Sequence, residues 1–153
     1  MKQINKYIVE RLHINKDIES YNYHPKSRKK LKELVNKLIK EHGNDANLND
    51  IDTSEITDMS YMFGYSEFNG DISNWNVSNV KYMLSMFYKS KFTGKNGDLS
   101  NWDVSNVKNM NYMFYESKFN GDISNWNVRN VKDMFAMFNG TPLEKNPPKW
   151  YKN

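Results

Sequence analysis

From Asp71 onward, large apolar residues recur in a fixed order that is written out several times along the chain. In one half of the pattern they occupy the first, fourth and sixth positions of a short segment. The residues with this spacing are Ile72, Trp75, Val77; Leu99, Trp102, Val104; and Ile123, Trp126, Val128. The two-residue step from Trp to Val predicts a short β-strand in each copy. We therefore expect the three tryptophans to be buried and stacked in register.

The second half of the pattern has helical spacing. Val80, Met83, Met86 and Phe87 follow one another at intervals of three, three and one, which predicts one or two helical turns. A Met-Phe pair recurs at residues 62–63, 86–87, 113–114 and 137–138, so the spacings are 24, 27 and 24 residues. A period of 24 lies within the range of leucine-rich repeats.

The longer interval is explained by a local insertion. Residues 95–97 are extra relative to the other copies. We expect this segment to bulge from a turn while the strands on either side stay paired, and its deletion to leave the fold intact, because loop length costs little free energy.

No single copy can bury both of its faces, so the copies must stack strand beside strand. The pattern therefore predicts an α/β repeat protein with short parallel strands and short helices. Three full copies and a partial one are recognisable.

The segment before the repeats predicts a capping helix over residues 28–42. Leu31, Leu34, Val35, Leu38 and Ile39 form the apolar stripe of an amphipathic helix. Ser27 is the expected N-cap and Gly43 the expected stop. Together with a strand predicted at residues 7–14, this helix makes residues 1–50 an N-terminal cap.

The other end of the chain cannot continue the pattern, because residues 141–153 contain three prolines. The sequence therefore predicts a repeat array over residues 51–140 and a C-terminal cap over residues 141–153, in which Trp150 and Tyr151 fold back.

Composition narrows the class of protein. The chain has 153 residues and no cysteine, which excludes disulfides, thiolate metal sites and cysteine nucleophiles. No apolar run is long enough for a signal-peptide core or a membrane span, so we expect a cytoplasmic protein. Net charge is +4, and the excess of basic residues lies in the first fifty residues.

Enzymatic chemistry has little support in the sequence. His13, His24 and His42 lie outside the repeats, and none belongs to a metalloprotease or hydrolase motif. The glycines at 94 and 97 are not followed by the Lys-Ser/Thr of a phosphate loop. We expect no catalytic residue, no metal and no cofactor.

Polar residues between the apolar strand positions would project from the stack and are candidate partner-binding residues. They are Asn74, Asn76, Asn101, Asp103, Asn125 and Asn127. A scaffold role is the alternative, because side chains repeated in every copy can form hydrogen-bond ladders. We favour that role for Asn79, Asn106 and Asn130, and both readings stay open where the residue varies, at positions 76, 103 and 127.

A second candidate is the basic start of the predicted helix. Arg28, Lys29 and Lys30, with Lys26 and Lys32 beside them, place positive charge where the helix dipole disfavours it by ~0.3–1 kcal/mol each. This placement predicts an acidic protein partner or a nucleic-acid backbone. The alternative is a solvated basic face without a partner.

The motifs M-x-x-M-F, F-N-G-D-I-S-N-W and N-W-N-V-S-N-V-K, over roughly residues 50–140, resemble the BspA-like leucine-rich-repeat surface-protein family. That family includes the Mycoplasma-type lipoprotein repeat of unknown function. The leader at residues 24–63 is similar to the cap of intracellular bacterial and prophage members. The resemblance implies a right-handed leucine-rich-repeat-like solenoid used for protein binding.

These observations predict a non-enzymatic protein-protein interaction module that binds a macromolecular partner, not a small molecule, through the solenoid face and the basic cap. One alternative is a phage or mobile-element inhibitor that blocks a nucleic-acid-handling enzyme. Another is a fragment of a cell-surface adhesin.

Overall fold

The computed structural model describes residues 21–152. Within this range the chain forms one helix, α1 (Arg28–His42), and five isolated parallel bridges, with no continuous strand. The strand predicted at residues 7–14 lies outside the described residues.

Helix α1 has the bounds that the sequence predicts. The Ser27 hydroxyl accepts the Lys30 N–H at 3.3 Å, which caps the first turn. Gly43 has a φ of 90° and donates its N–H to the Ile39 carbonyl at 2.8 Å, which ends the helix. The buried residues of the apolar stripe are Leu31, Val35 and Leu38.

Four copies of the repeat follow, at residues 47–70, 71–97, 98–121 and 122–145. One row of parallel bridges links equivalent residues of all four: Asp58, Tyr82, Asn109 and Asp133. The first copy was only partly recognised because it has Ile51 where the others have tryptophan. The three-part division of the chain stays a prediction.

The expected β-strand in each copy is wrong. Between residues 71 and 80 the chain makes two successive turns, closed by Trp75 N–H to the Ile72 carbonyl at 3.1 Å and by Val80 N–H to the Val77 carbonyl at 2.9 Å. Asp71 stabilises the first turn, because its carboxylate accepts the backbone N–H of the residue two positions later. Such local hydrogen bonds compete with strand pairing.

The expected helical turns are also wrong. Ser85 and Lys89 have φ values of 53° and 52°, and an L-residue in the left-handed region cannot continue a right-handed helix. The same two positions have positive φ in every copy: Tyr61, Ser85, Tyr112, Ala136; and Tyr65, Lys89, Glu116, Gly140.

Alternate backbone N–H groups join the copies in this segment. From Met83 to Lys89, every second N–H donates to a carbonyl of the third copy, at 2.8–2.9 Å. Between them, the N–H groups of Met86 and Tyr88 close turns within the second copy, at 3.1–3.3 Å. The copies therefore stack through turns and single bridges. The expected right-handed leucine-rich-repeat-like solenoid, with parallel strands and short helices, is wrong for the described residues. Of the expected strand-helix cap, the helix is present and the strand lies outside the described residues.

Two columns of phenylalanine rings run through the core of the stack. Phe63, Phe87, Phe114 and Phe138 lie 5.4–5.9 Å apart with nearly parallel rings. Phe68, Phe92 and Phe119 form a second column with a spacing of 6.2 Å. All seven are buried, and such stacked rings contribute stability beyond their buried area.

The prediction of buried tryptophans is confirmed. Trp75, Trp102 and Trp126 are 3–4% exposed. Each indole N–H donates to a carbonyl of the preceding copy, at 2.9–3.2 Å. Trp150 repeats this bond with the Ile123 carbonyl at 2.9 Å and stacks on Trp126 at 6.3 Å. The C-terminal segment thus adds one more tryptophan to the row.

The insertion is not a simple surface bulge. Lys95 and Asn96 are exposed, but Gly97 is buried, and a Cβ there would lie 2.9 Å from the Gly70 carbonyl oxygen. The bridge from residue 47 to Asp71 has no counterpart at residues 98 or 122 in the described chain. The expected continuous pairing on both sides of the insertion is therefore wrong.

Candidate functional site

All six polar residues predicted to bind a partner are exposed: Asn74, Asn76, Asn101, Asp103, Asn125 and Asn127. Three of them have a structural role as well. The side-chain oxygens of Asn76, Asp103 and Asn127 accept the backbone N–H two residues later, at 3.0–3.3 Å. These side chains stabilise the second turn of their copies. Whether they also bind a partner stays a prediction.

The scaffold role of the neighbouring asparagines is confirmed. The amide groups of Asn79, Asn106 and Asn130 donate to serine carbonyls of the preceding copy, at 2.6–2.8 Å. This row fastens each copy to the one before it.

The turn carboxylates make stability dependent on pH. Burial opposes ionisation of Asp71, but hydrogen bonds from Ser73 and Asn49 hold the pKa of this carboxyl below its usual value. Hydrogen bonds from Ser105 likewise lower the pKa of Asp103. A lowered pKa stabilises the fold above the unfolded-state pKa of about 4, and this contribution is lost as pH falls through the folded-state value.

We therefore expect the free energy of unfolding to fall when the pH drops below about 4. Urea denaturation followed by circular dichroism at pH 7, 5 and 3 measures it. The matched control is Asp103→Asn, which keeps the turn acceptor found as Asn76 and Asn127 but cannot titrate. This variant should lose less stability than the unsubstituted protein between pH 5 and 3. Equal losses in the two proteins would contradict the assignment.

Most of the basic residues at the start of α1 are used inside the molecule. Arg28 Nε donates to the Ser60 carbonyl at 2.8 Å, and the Lys32 ammonium donates to the Met62 carbonyl. In later copies the equivalent carbonyls accept N–H groups from the preceding copy. The first copy has no preceding copy, so the two cations cap its exposed carbonyls.

The other three cations of this segment differ in whether they have an ion-pair partner. Lys26 pairs with Glu55, and Lys30 lies 3.3 Å from Glu33. Lys29 has no side-chain partner within residues 21–152. Burial, together with Arg28, lowers the pKa of Lys32. The hydrogen bonds from Arg28 and Lys32 to carbonyls of the first copy explain why positively charged residues occur at a helix start, where the helix dipole is unfavourable to them.

Replacing Arg28 or Lys32 should therefore destabilise the fold. We expect Arg28→Gln to lower the free energy of unfolding by about 1–2 kcal/mol, because the Ser60 carbonyl loses a charged donor. Lys29→Gln is the matched control and should leave stability unchanged or slightly raised. Thermal denaturation distinguishes the two. Equal melting temperatures for the two variants would contradict this expectation.

A further surface feature, which the apolar pattern of the sequence does not predict, is a row of aromatic side chains. Its members, here called the aromatic strip, are Tyr61, Tyr65, Tyr88, Tyr112, Tyr115 and Phe135. Tyr65 is 70% exposed and Phe135 is 65% exposed. The sequence signal was present, since these aromatics occupy variable positions within and beside the M-x-x-M-F motif. It was overlooked because they lie off the apolar pattern.

The strip crosses all four copies. Tyr88 in the second copy contacts Tyr65 in the first at 5.3 Å and stacks on Tyr115 in the third at 5.1 Å. Tyr112 extends the contact to Phe135 in the fourth copy at 5.5 Å. The strip is therefore one continuous surface.

A shallow cavity lies in the middle of the strip. Tyr61, Ser85 and Tyr112 occupy one position in successive copies, and the small Ser85 side chain leaves a gap between the two tyrosines. The cavity has a volume of about 390 Å³ and is lined by tyrosines, with the buried Ser85 between them. It can receive a side chain of a bound partner.

One ion pair lies within the strip. The Lys89 ammonium is 3.2 Å from the Glu116 carboxylate and 5.6 Å from the centre of the Tyr88 ring. Hydrogen bonding to Glu116 raises the pKa of both Lys89 and the Tyr115 hydroxyl. Burial raises the pKa of the Tyr88 hydroxyl. At neutral pH these phenols are protonated and can donate hydrogen bonds.

Few other side chains that could act in catalysis or metal binding lie close together in the described residues. His24 Nδ1 lies 3.3 Å from an Asp52 oxygen, and the same carboxyl accepts the Ser54 N–H at 3.0 Å. The part of the chain that the structure describes holds no group of three or more metal-ligating residues. None of its helices is long and apolar enough to cross a membrane. His13 lies outside the described residues.

Comparison with known proteins gives one match. The family model described as "Mycoplasma protein of unknown function, DUF285" matches residues 29–150. No curated protein and no solved structure matches the chain.

Proposed function

Because this chain belongs to the DUF285 family, whose description assigns no activity, we propose a function from its surface: it is a non-enzymatic module that binds another protein through the aromatic strip. The proposal depends on one observation, the continuous run of aromatic side chains across four copies, in which Tyr61, Tyr65 and Phe135 are exposed and the tyrosines between them are half-buried.

The composition of the strip supports protein binding. Tyrosine is enriched at protein interfaces and among the residues that dominate binding energy. Its ring offers a large contact area with few rotatable bonds, and its hydroxyl satisfies polar groups at the edge of an interface. Single exposed aromatics are common, whereas a contiguous exposed patch marks an interaction site.

The backbone beneath the strip also supports it. Alternate N–H groups of each of the first three copies are bonded to the next copy, and the residues between them close turns. Most of these backbone donors are therefore occupied, which orders the backbone that carries the rings before a partner arrives. A surface that is ordered in advance loses less entropy on binding.

This proposal moves the binding site away from the residues favoured by the sequence. Arg28 has a structural role at the first copy, and Asn76, Asp103 and Asn127 stabilise turns. The resemblance to BspA-like proteins supports protein binding as a class of function. An inhibitor and an adhesin are both protein binders, and no contact in the structure favours either.

The test compares capture of a binding partner by matched variants. The immobilised chain is incubated with lysate of its source cells, and captured proteins are quantified by mass spectrometry. Tyr65→Ser with Phe135→Ser removes the two most exposed rings, and Asn101→Ala with Asn125→Ala is the control on another exposed row.

We expect a partner whose capture falls at least about tenfold with the strip variant and is unchanged with the control. Melting temperatures of both variants should match that of the unsubstituted chain. The proposal would be overturned if the strip variant retained every specifically captured protein. It would also be overturned if the partner were lost with the control variant instead.

A further inference from the structure

A row of lysines precedes the aromatic strip. Lys81, Lys108 and Lys132 occupy one position in the last three copies, and all three are exposed. The Lys108 N–H donates to the Lys81 carbonyl at 2.9 Å, and the Lys132 N–H donates to the Lys108 carbonyl at 2.8 Å. Neighbouring chains joined in this way lie about 5 Å apart. The three ammonium groups therefore belong to adjacent backbone segments.

A second pair of lysines follows the strip. Lys91 and Lys118 are exposed and occupy one position in the second and third copies. None of these five side chains forms an ion pair with any residue in the range 21–152, whereas Lys26, Lys30, Lys37 and Lys89 all do. In sequence, a lysine without a counter-ion among the described residues thus precedes and follows the strip aromatics of the second and third copies.

Stability alone does not account for this arrangement. Like charges on directly neighbouring backbone segments are destabilising by ~0.2–1 kcal/mol per pair. The sequence repeats the lysine in three successive copies, although Thr57 at the same position of the first copy is neutral. The one acidic residue within residues 81–91 and 108–118 is Glu116, which is paired with Lys89, whereas Asp58 and Glu67 lie in the first copy and Asp133 in the fourth.

We propose that the aromatic strip binds an extended, acidic peptide segment of its partner that lies across the second and third copies. This inference depends on the proposed protein-binding function and specifies the partner's chemistry. Apolar side chains of the peptide contact the tyrosines and enter the cavity above Ser85. Its carboxylates pair with Lys81, Lys108 and Lys118, so the charges are complementary.

A peptide fits this surface better than a single-stranded nucleic acid. Bases stack on open aromatic faces. Here Tyr88 and Tyr115 stack on each other with an angle of 8° between the rings, and Tyr112 packs edge-on against Tyr115. The positive stretch spans about two copies, roughly 10 Å. That length suits a few residues of extended peptide and is short for a polynucleotide.

The experiment measures binding of labelled synthetic probes to the full chain by fluorescence anisotropy. The probes are a peptide in which glutamate alternates with leucine, the same peptide with lysine in place of glutamate, and oligo-dT. The variant Lys81→Gln with Lys108→Gln and Lys118→Gln removes three flanking charges. The control Lys37→Gln removes one exposed charge on α1.

We expect the glutamate peptide to bind more tightly than either other probe, with an affinity that weakens as salt is added. The triple lysine variant should bind it at least about tenfold more weakly, and the α1 control should bind normally. Tighter binding of oligo-dT, or equal binding of the two peptides, overturns this inference. Loss of the cellular partner with the strip variant but not with the triple lysine variant overturns it as well, while the protein-binding function stands.

Discussion

Gly70→Ala is expected to destabilise the fold by more than about 3 kcal/mol, beyond the usual range for overpacking. A Cβ at this position would lie 2.0 Å from the Ala46 carbonyl oxygen and 2.7 Å from the Phe68 ring. The same carbonyl accepts the Asp71 N–H at 3.0 Å, so it cannot move away without breaking this bond between the residue before the first copy and the start of the second. The requirement for glycine here is one of space.

Urea denaturation followed by circular dichroism measures the effect. Gly64→Ala is the matched control, because a Cβ there would meet its nearest neighbour at 3.5 Å, an ordinary contact distance. We expect that variant to remain within about 0.5 kcal/mol of the unsubstituted protein. A folded Gly70→Ala variant of similar stability would show that the first two copies are not packed as described.

Phe87→Ala should lower the free energy of unfolding by about 3–5 kcal/mol. The Phe87 ring stacks on Phe63 and Phe114 at 5.4 Å and on Phe92 at 4.6 Å, so its removal leaves a cavity in the centre of the core. Domains of this size are stable by only about 5–15 kcal/mol, so the loss is a large part of the total.

The control for this prediction is Phe135→Ala, since Phe135 is 65% exposed and lies on the strip. We expect a change within about 1 kcal/mol, because little buried area is lost. Both variants can be compared by thermal denaturation. Similar melting temperatures for the two would contradict the assignment of Phe87 to the core.

Several features follow from the sequence alone. The spacing of large apolar residues determines the phase of the repeat and the burial of Trp75, Trp102 and Trp126. Large apolar side chains are buried in any stable fold, because their exposure to water is unfavourable. The bounds of α1 are determined by Ser27, Gly43 and an apolar stripe between them. These signals are local, so they need no knowledge of the rest of the molecule.

The backbone conformation within each copy was not predictable from apolar spacing. A two-residue step suits a strand, but Asp71 and Asn76 accept backbone N–H groups two residues later and turn the chain instead. The positive φ of Ser85 and Lys89 has no signal in residue type, since neither is glycine or asparagine. Hydrogen bonds to the third copy hold both residues in place.

Tertiary structure alone decided the candidate site. Tyr65, Tyr88 and Tyr115 are separated by more than twenty residues in sequence and become neighbours because copies of 24 and 27 residues stack in register. The tertiary structure also places Arg28 against the Ser60 carbonyl, which gives this residue a structural role that the sequence did not predict. The sequence by itself determined which residues are buried and where the pattern repeats. Only the stacked copies decided which exposed residues share a surface, because that depends on hydrogen bonds between segments far apart in the chain.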